Sequence, residues 1–599
     1  MIRKDIKKGK EGGTKTHIRV VEGYRPGPGL PPKQRTIKSF GYLEDQEDPV
    51  SFMAMVSAFD RHHRAEEIPL RIEVPANAKM YSESNRLQNY GYHFLAAIYE
   101  QLDIDGFIQS YQRTSKFKGD YDPAAIFKFL VLLRILYPDS KRASCQLKNN
   151  FYGLTTAFTL QDIYRSLSFC AGFEKELQAH LNQQVKALIG RDLSMAFYDL
   201  TNYFFEIDFP DDAKGLRQRG VSKEHRVDPI VSMGLFIDTN GLPVSMALFP
   251  GNTSDTVTLH PMMKEIKTSY GLGRLLVVAD KGITSSSNIE ALLNNGDGYV
   301  LSQILRGKKG QRYHARLLDT TAYHENQDGS YRYQLFTEDY LGKDREGNPI
   351  PRQRKVLLYW SKAEADLTRR KREEKLIRAE RMVSNKVYGI KKGIEEYTRE
   401  ELIDPHTGEL LEQVKKVRLV DFQKAADDAR FDGYFCLITS ELDWEERKIR
   451  EVYHGLWRIE QSFRILKSDL YARPVFVWKQ DHIRAHFLIC FTALLMVRIL
   501  QYRMGKKALS VERIVAALTS ANCRVLKHGI VHLEDVGGAI AFRKSLNAKG
   551  EELDTLVYSK DDEIALDYRH IQDTVGTAFY DSYPRQEHFN QFLKSIRRA

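Results

Sequence analysis

The chain has 599 residues, 42% of them hydrophobic and 11% aromatic, and a formal net charge of +11. That length calls for several folding units, and that apolar content excludes gross disorder. The positive balance favours a polyanionic partner, of which nucleic acid is the commonest.

The opening MIRKDIKKGKEGG is charged and leads into no apolar run, which argues against an ordinary signal peptide. Residues 1–80 mix β-like runs (HIRVVEGY, RTIKSFGYL) with a Pro/Gly-rich loop, GYRPGPGLPPKQ, and predict a small β-rich module with a linker. Residues 81–190 turn helical. YHFLAAIYEQL, PAAIFKFLVLLRILY and FEKELQAHLNQQVKALI carry apolar residues at three- and four-residue spacing. Interspersed basic residues suit a DNA-binding helical domain, although any helical bundle carries the same pattern.

From Leu193 the texture becomes strand-like. LSMAFYDL, IVSMGLFID and PVSMALFPG are followed by helical VTLHPMMKEIKTSY, the strand RLLVVAD, the helix SNIEALLNN and the strand GYVLSQIL. That order opens a ribonuclease-H-like α/β fold over residues 191–305. Residues 306–430 break it with β-like pieces (YRYQLFT, KVLLYW) and the charged RRKREEKLIRAERMVSNKVYGIKKGIEEY, and predict an insertion domain. The charge run reads first as a solvated helix face. The core resumes over 431–510 with the strand GYFCLITS, a helical stretch from Trp444 to about Leu470, and HFLICFTALLMVRIL. The apolar run Phe487 to Val497 is too short to span a bilayer and is closed by Arg498, so it predicts a buried core helix and no membrane partner. Residues 511–599 are mixed and weakly patterned. The cysteines, Cys145, Cys170, Cys436, Cys490 and Cys523, stand far apart; they write neither a zinc motif nor a disulfide framework and suit a reduced, cytoplasmic protein.

Two carboxylates close apolar strands: Asp199 in MAFYD and Asp280 in LLVVAD. Alone, either is as well read as a turn former or helix cap. Together, at the carboxyl ends of strands in one open sheet, they can face one crevice. Such a crevice suits Mg²⁺, held by one or two carboxylates, waters and substrate phosphate. A third acid comes from EVYHGLWRIEQSFRILKSDL. Tyr453, Glu460 and Lys467 are spaced by seven residues, close to the ~7.2 of two helical turns, and predict one stripe, with Arg464 beside it. The bland alternative pairs Glu460 with Arg464 and Lys467 on an ordinary amphipathic helix. Trp457, Ile459, Phe463 and Leu466 would supply its apolar face. Asp255 in GNTSD reads mainly as an N-cap.

MAFYDLTNYFFE, GLFIDTNGLPVSMALFPGNTSDTVTL, LLVVADKGI and YHGLWRIEQSFRILKSDLYARPVFVW, taken in this order, resemble the core of DDE transposases of prokaryotic insertion sequences. The resemblance runs from about Leu193 to Leu500 and is to the branch with a Tyr–Arg–Glu–Lys helix signature and a β-rich insertion in its ribonuclease-H-like fold. Tyr453, Glu460 and Lys467 stand in register with that signature, whereas Leu456 stands where the family has Arg. Arg458 lies about 200° round a helix from Glu460 and Arg464 about 40°, which favours Arg464 as the substitute.

The resemblance implies that Asp199, Asp280 and Glu460 bind two Mg²⁺ ions, with Mn²⁺ able to substitute. It further implies in-line cleavage at the ends of an element, strand transfer into target DNA, and a homodimer on paired ends. Tyr453, Arg464 and Lys467 would hold terminal phosphates, with Lys281, Lys223 and Arg226 as further phosphate contacts. Two rivals stand beside this reading: a nuclease or resolvase without strand transfer, served by the same carboxylates, and a non-catalytic DNA-binding protein derived from a transposase.

Overall fold

The computed structural model describes residues 2–8, 14–24, 33–46, 49–64, 86–154, 156–212, 214–221, 228–306, 310–384, 398–402, 416–526, 529–534, 541–546, 552–557, 563–577, 579 and 581–598. Lys223 and Arg226 lie outside them, as do most of the Pro/Gly-rich loop and the end of the charged run.

At the N-terminus β1 (Ile2–Lys8), β2 (Thr14–Tyr24) and β3 (Lys33–Tyr42) form an antiparallel sheet. Helix α1 (Pro49–Arg64) packs on it, and Ile18, Val20, Phe52 and Val56 make a small core. After the short strand β4 (Leu87–Asn89) come six helices. They are α2 (Tyr92–Gln101), α3 (Ile104–Thr114), α4 (Pro123–Leu136), α5 (Lys141–Gln146), α6 (Leu160–Ala171) and α7 (Glu174–Ile189). Their starts are written locally. Asp122 accepts from the amides of Ala124 and Ala125 ahead of Pro123, and Thr159 with Asp162 forms a reciprocal capping box.

A nine-stranded sheet follows. Its elements are β5 (Met195–Phe204), β6 (Ile230–Ile237), β7 (Pro243–Pro250), α8 (Leu259–Tyr270), β8 (Leu276–Ala279), α9 (Ser286–Asn294) and β9 (Gly298–Ser302). Next come α10 (Gln311–Leu318), β10 (His324–Glu325), β11 (Tyr331–Lys343), β12 (Pro349–Ser361), α11 (Lys362–Ser384), the hairpin β13 (Thr398–Leu402) and β14 (Lys416–Val420), α12 (Phe422–Ala429) and β15 (Tyr434–Thr439). The strand order is β10-β11-β12-β15-β9-β8-β5-β6-β7. Strands β5, β6 and β7 pair antiparallel, while β5, β8 and β9 pair parallel. The pieces YRYQLFT and KVLLYW lie in β11 and β12, which extend this sheet beyond β15. The charged run enters α11, whose arginines pair within the helix (Arg378 with Glu374, 3.8 Å) and with Asp432 across from it.

Both faces of the sheet are covered. Ala196, Tyr198, Val277, Ala279 and Phe236 face α8 and α9 in one apolar cluster. Phe197, Val278, Leu235 and Val300 face the other way, into the principal core. Helices α13 (Glu446–His454), α14 (Trp457–Arg464) and α15 (Gln480–Met504) cover that second face. Helix α15 packs against α2, α4, α6, α7 and β7, so it joins the helical region to the sheet. It is long and apolar enough to cross a membrane, but 94% of its most apolar window is buried inside the protein.

Arg191, after α7, makes a second junction. Its side chain and that of Asp238 are each 1% exposed and pair at 2.9 Å. Arg191 also donates to Asn182 and to the Pro243 carbonyl, while Asp238 accepts from the Asn240 and Leu242 amides. The last elements are α16 (Val511–Ser520), β16 (Asn522–Val525), β17 (Val531–Leu533), the hairpin β18 (Ala541–Leu546) and β19 (Glu552–Val557), α17 (Glu563–Val575) and α18 (Gln586–Arg598). They fold back on the helical region: β16 pairs with β4 and α18 packs on α2.

Candidate active site

Strands β5 and β8 run parallel with Tyr198 opposite Ala279. One residue further along each stand Asp199 and Asp280, so the two carboxylates lie side by side on neighbouring strands. Side chains alternate along a strand. Asp199 therefore shares the face of Phe197, and Asp280 continues that of Val278, both directed toward the layer of α13 and α14. Asp199 is half-buried within β5 and accepts from the Leu200 amide at 2.7 Å. Asp280 is exposed at the turn where β8 ends, and Ile283 donates its amide to the Asp280 carbonyl at 3.0 Å.

The helical stretch that brings Glu460 is not continuous. Helix α13 stops at His454, Gly455 and Leu456 form a turn, and α14 begins at Trp457. A π-helical turn, Ile465–Asp469, follows α14 directly. The single stripe expected from seven-residue spacing is thus divided among three segments. The first break falls where the chain packs closely on β5. A Cβ on Gly455 would sit 2.4 Å from the Phe197 ring, so only glycine lets the chain rest on β5 there.

The break separates the roles of the predicted residues. Tyr453, at the end of α13, donates its hydroxyl to Asp280 Oδ1 at 2.9 Å. Burial and the Asp280 charge push the phenol's pKa well above its ordinary value, so it stays a donor through any working pH. Glu460 is exposed on α14, which packs against β5 and β6. Lys467 lies in the π-helical turn with Nζ 5.6 Å from the centre of the Tyr203 ring, on the face of β5 that carries Asp199. Arg464 is exposed near Asp469. Lys281 is exposed in the turn directly after Asp280. Among the described residues, no three His, Cys, Asp or Glu side chains gather closely enough to hold a metal by themselves.

Three sequence expectations change. Asp199 does not close its strand: it stands midway in β5, which runs on to Phe204. Asp255 does not cap a helix: it opens a 3-10 turn whose N-cap is Ser254, with no side-chain cap bond. Its carboxylate instead lies beside the Asp280 turn, with Oδ2 3.5 Å from where a Gly282 Cβ would sit. Trp457 does not join the apolar face of α14; it is 47% exposed and lies under the Arg458 guanidinium. Arg458 itself packs against the β6–β7 turn at Gly241, away from the two aspartates. Ser302, which closes β9 and adds a hydrogen bond to Tyr453, was not singled out. It obeys the signal that marked Asp280, a polar residue closing an apolar strand.

The Tyr453 contact predicts a measurable effect. Tyr453→Phe keeps the ring but removes the donor that holds Asp280. Loss of such an orienting partner typically costs 10–100-fold in metal affinity or activity. With Asp280 holding Mg²⁺ for DNA cleavage, as the family resemblance implies, the expected result is a rise of about that size in the Mg²⁺ concentration for half-maximal cleavage, measured on a labelled DNA end. An unchanged metal titration would remove Tyr453 from that role.

Two family models match the chain. Residues 2–68 match the IS1634 family transposase, N-terminal domain, and residues 212–496 match the Transposase DDE domain. Asp280 and Glu460 fall inside the second match, and Asp199 lies just before it. No curated protein matches the chain. A small N-terminal module and a catalytic-type domain, both from transposases and in this order, accompany two adjacent aspartates, one within β5 and one at the end of β8: the chain belongs to the DDE transposases of insertion sequences, enzymes that bind DNA, cut it and transfer its strands.

Proposed function

We propose that Asp199, Asp280 and Glu460 form the acidic site of this transposase and hold two Mg²⁺ ions for cut-and-paste movement of the element. The observation that supports this most is the parallel pairing of β5 with β8, which sets the two aspartates side by side beneath the helices that carry Glu460. The donor set fits the ion. All three are hard carboxylate oxygens, and Mg²⁺ is usually held by one or two carboxylates, with waters and substrate phosphate completing its shell. Three clustered protein ligands are therefore not required before DNA binds. When bound, the metal lowers the pKa of a water or a 3′-hydroxyl and offsets charge on the leaving oxygen.

The chain's own residues supply the rest. Tyr453 orients Asp280. Lys467, Arg464 and Lys281 offer cations to phosphates on either side of the cut, and the dimer brings two ends together. The strand order β7-β6-β5-β8-β9, antiparallel on one side of β5 and parallel on the other, supports a ribonuclease-H-like core over 191–305 and 431–510. Residues 306–430 are its insertion, 1–80 the N-terminal module, 81–190 the DNA-binding helical domain and 511–599 the C-terminal region.

Phosphate contact has a direct test. Each neutralised phosphate contributes about 0.9 to the slope of log affinity against log salt. Binding to the element's ends should therefore weaken steeply across a salt series. A flat response would remove extensive backbone contact. The assignment of the acids is tested by cleavage of a labelled end with each carboxylate replaced by its amide.

A further inference from the structure

A second cationic site lies where the helical region meets the segment after the π-helical turn. A cavity of about 280 Å³ is lined by Arg134, Lys141, Arg473 and His486, with Tyr471 and Phe476 among its other walls. Arg134, from α4, is 5% exposed and Lys141, from α5, is 4% exposed. Neither has a carboxylate partner among the described residues. Arg134 spends its Nη1 on the Leu470 and Tyr471 carbonyls at 3.3 and 3.2 Å, and its Nη2 on the Asp139 carbonyl at 3.0 Å. Its Nε is buried without a partner. The Lys141 ammonium makes no hydrogen bond or ion pair among the described residues. His486 donates through Nε2 to the Ala472 carbonyl at 3.2 Å. A carboxylate does line the cavity, that of Asp139, but it accepts from the Ser140 amide.

Buried cations without counter-ions are costly. The burial shows here: it and the Arg134 charge lower the Lys141 pKa to about 7. They also hold His486 well below its ordinary value, and hence neutral. An anion in the cavity would relieve this strain on Lys141 and Arg134 together. The place suits a phosphate of bound DNA. Arg473 lies over the Phe204 ring at 5.7 Å, and the Val475 amide donates to the Phe204 carbonyl at 3.3 Å, so the cavity flanks the carboxyl end of β5. Asp199 stands five residues back along that strand, on the order of 17 Å at ~3.3 Å per residue. That distance is about five nucleotide steps of a DNA strand at 3.4 Å each.

We propose that Arg134, Lys141 and Arg473 form a pocket for one phosphate group, separate from the acidic site, which fixes a DNA backbone position several nucleotides from the cut. The volume accommodates a phosphate with a few waters of ~30 Å³ each.

The test uses the full chain with no divalent metal, so it reads binding alone and its failure leaves the carboxylate assignment untouched. Duplex carrying the element's terminal repeat is titrated across a salt series with wild type, Lys141→Met and Arg473→Gln. Each variant is expected to shrink the salt slope by about 0.9, one phosphate contact. Lys141→Met should melt no lower than wild type, because it removes an uncompensated buried charge; should it fail to fold, Arg473→Gln carries the slope measurement. In parallel, the acetylation rate of Lys141 is followed by mass spectrometry with duplex or with inorganic phosphate. Protection by duplex alone identifies a DNA phosphate, and protection by inorganic phosphate as well identifies a general phosphate pocket. Unchanged salt slopes together with an unprotected Lys141 overturn the proposal.

Discussion

Replacing Asp199 by Asn, Asp280 by Asn or Glu460 by Gln is expected to lower Mg²⁺-dependent cleavage of an element end by about a thousandfold or more. The proposed ions supply several kcal/mol of transition-state stabilisation, and each 1.36 kcal/mol is worth tenfold in rate. The amides keep the shape of the acids but lose the charge that holds a hard cation. Asp199 and Asp280 sit next to each other, so changing either leaves only one of this pair at the site. Binding to the end, measured in the absence of divalent metal, should stay close to wild type, because the phosphate contacts come from other residues. The pairing of lost cleavage with retained binding separates a site effect from a folding effect. Full cleavage by any one variant in Mg²⁺ would exclude that residue from the site.

The second large effect is on stability. Arg191→Met is expected to cost about 3–5 kcal/mol, the usual penalty when one member of a buried ion pair is removed. Asp238 would remain with its side chain 1% exposed and its guanidinium partner gone. Burial already raises the Asp238 pKa, and the Arg191 charge is the first force opposing that rise. The variant also loses the bonds to Asn182 and to the Pro243 carbonyl that tie α7 to the β6–β7 hairpin. The denaturant midpoint should fall accordingly. The double variant Arg191→Met with Asp238→Leu should recover much of the loss, since two apolar groups often replace a buried pair at little cost. A single variant as stable as wild type would show that this junction does not support the fold.

The placement of the acids and the packing of the junction were legible to different degrees. Asp199 and Asp280 could be found because an apolar run closed by an acid is a local pattern, and local patterns survive in one dimension. The same holds for the capped starts of α4 and α6 and for the buried α15, whose apolar run is its own signal. The order of strand-like runs from Leu193 likewise follows from alternation and turn residues within each run.

Other features required the chain to meet itself. That Asp199 stands beside Asp280 depends on the register of β5 with β8, elements separated in sequence by two strands and a helix. That Tyr453 donates to Asp280 depends on α13 packing against β8. Seven-residue spacing describes an uninterrupted helix. The Phe197 ring, distant in sequence, lies so close that only glycine fits at 455. Lys141 reads as one more surface lysine in KRASCQLKNN, yet α4 and the segment after the π-helical turn close over it. The strand pairing of Leu87–Asn89 with Asn522–Val525 joins the start of the helical region to the weakly patterned C-terminal stretch. The sequence by itself therefore determined the family and most element types and singled out the proposed acids, because these signals are encoded by neighbours along the chain. Only the tertiary structure decided which of those residues face one another, because register, close approach and burial are set by partners that adjacency in sequence does not reveal.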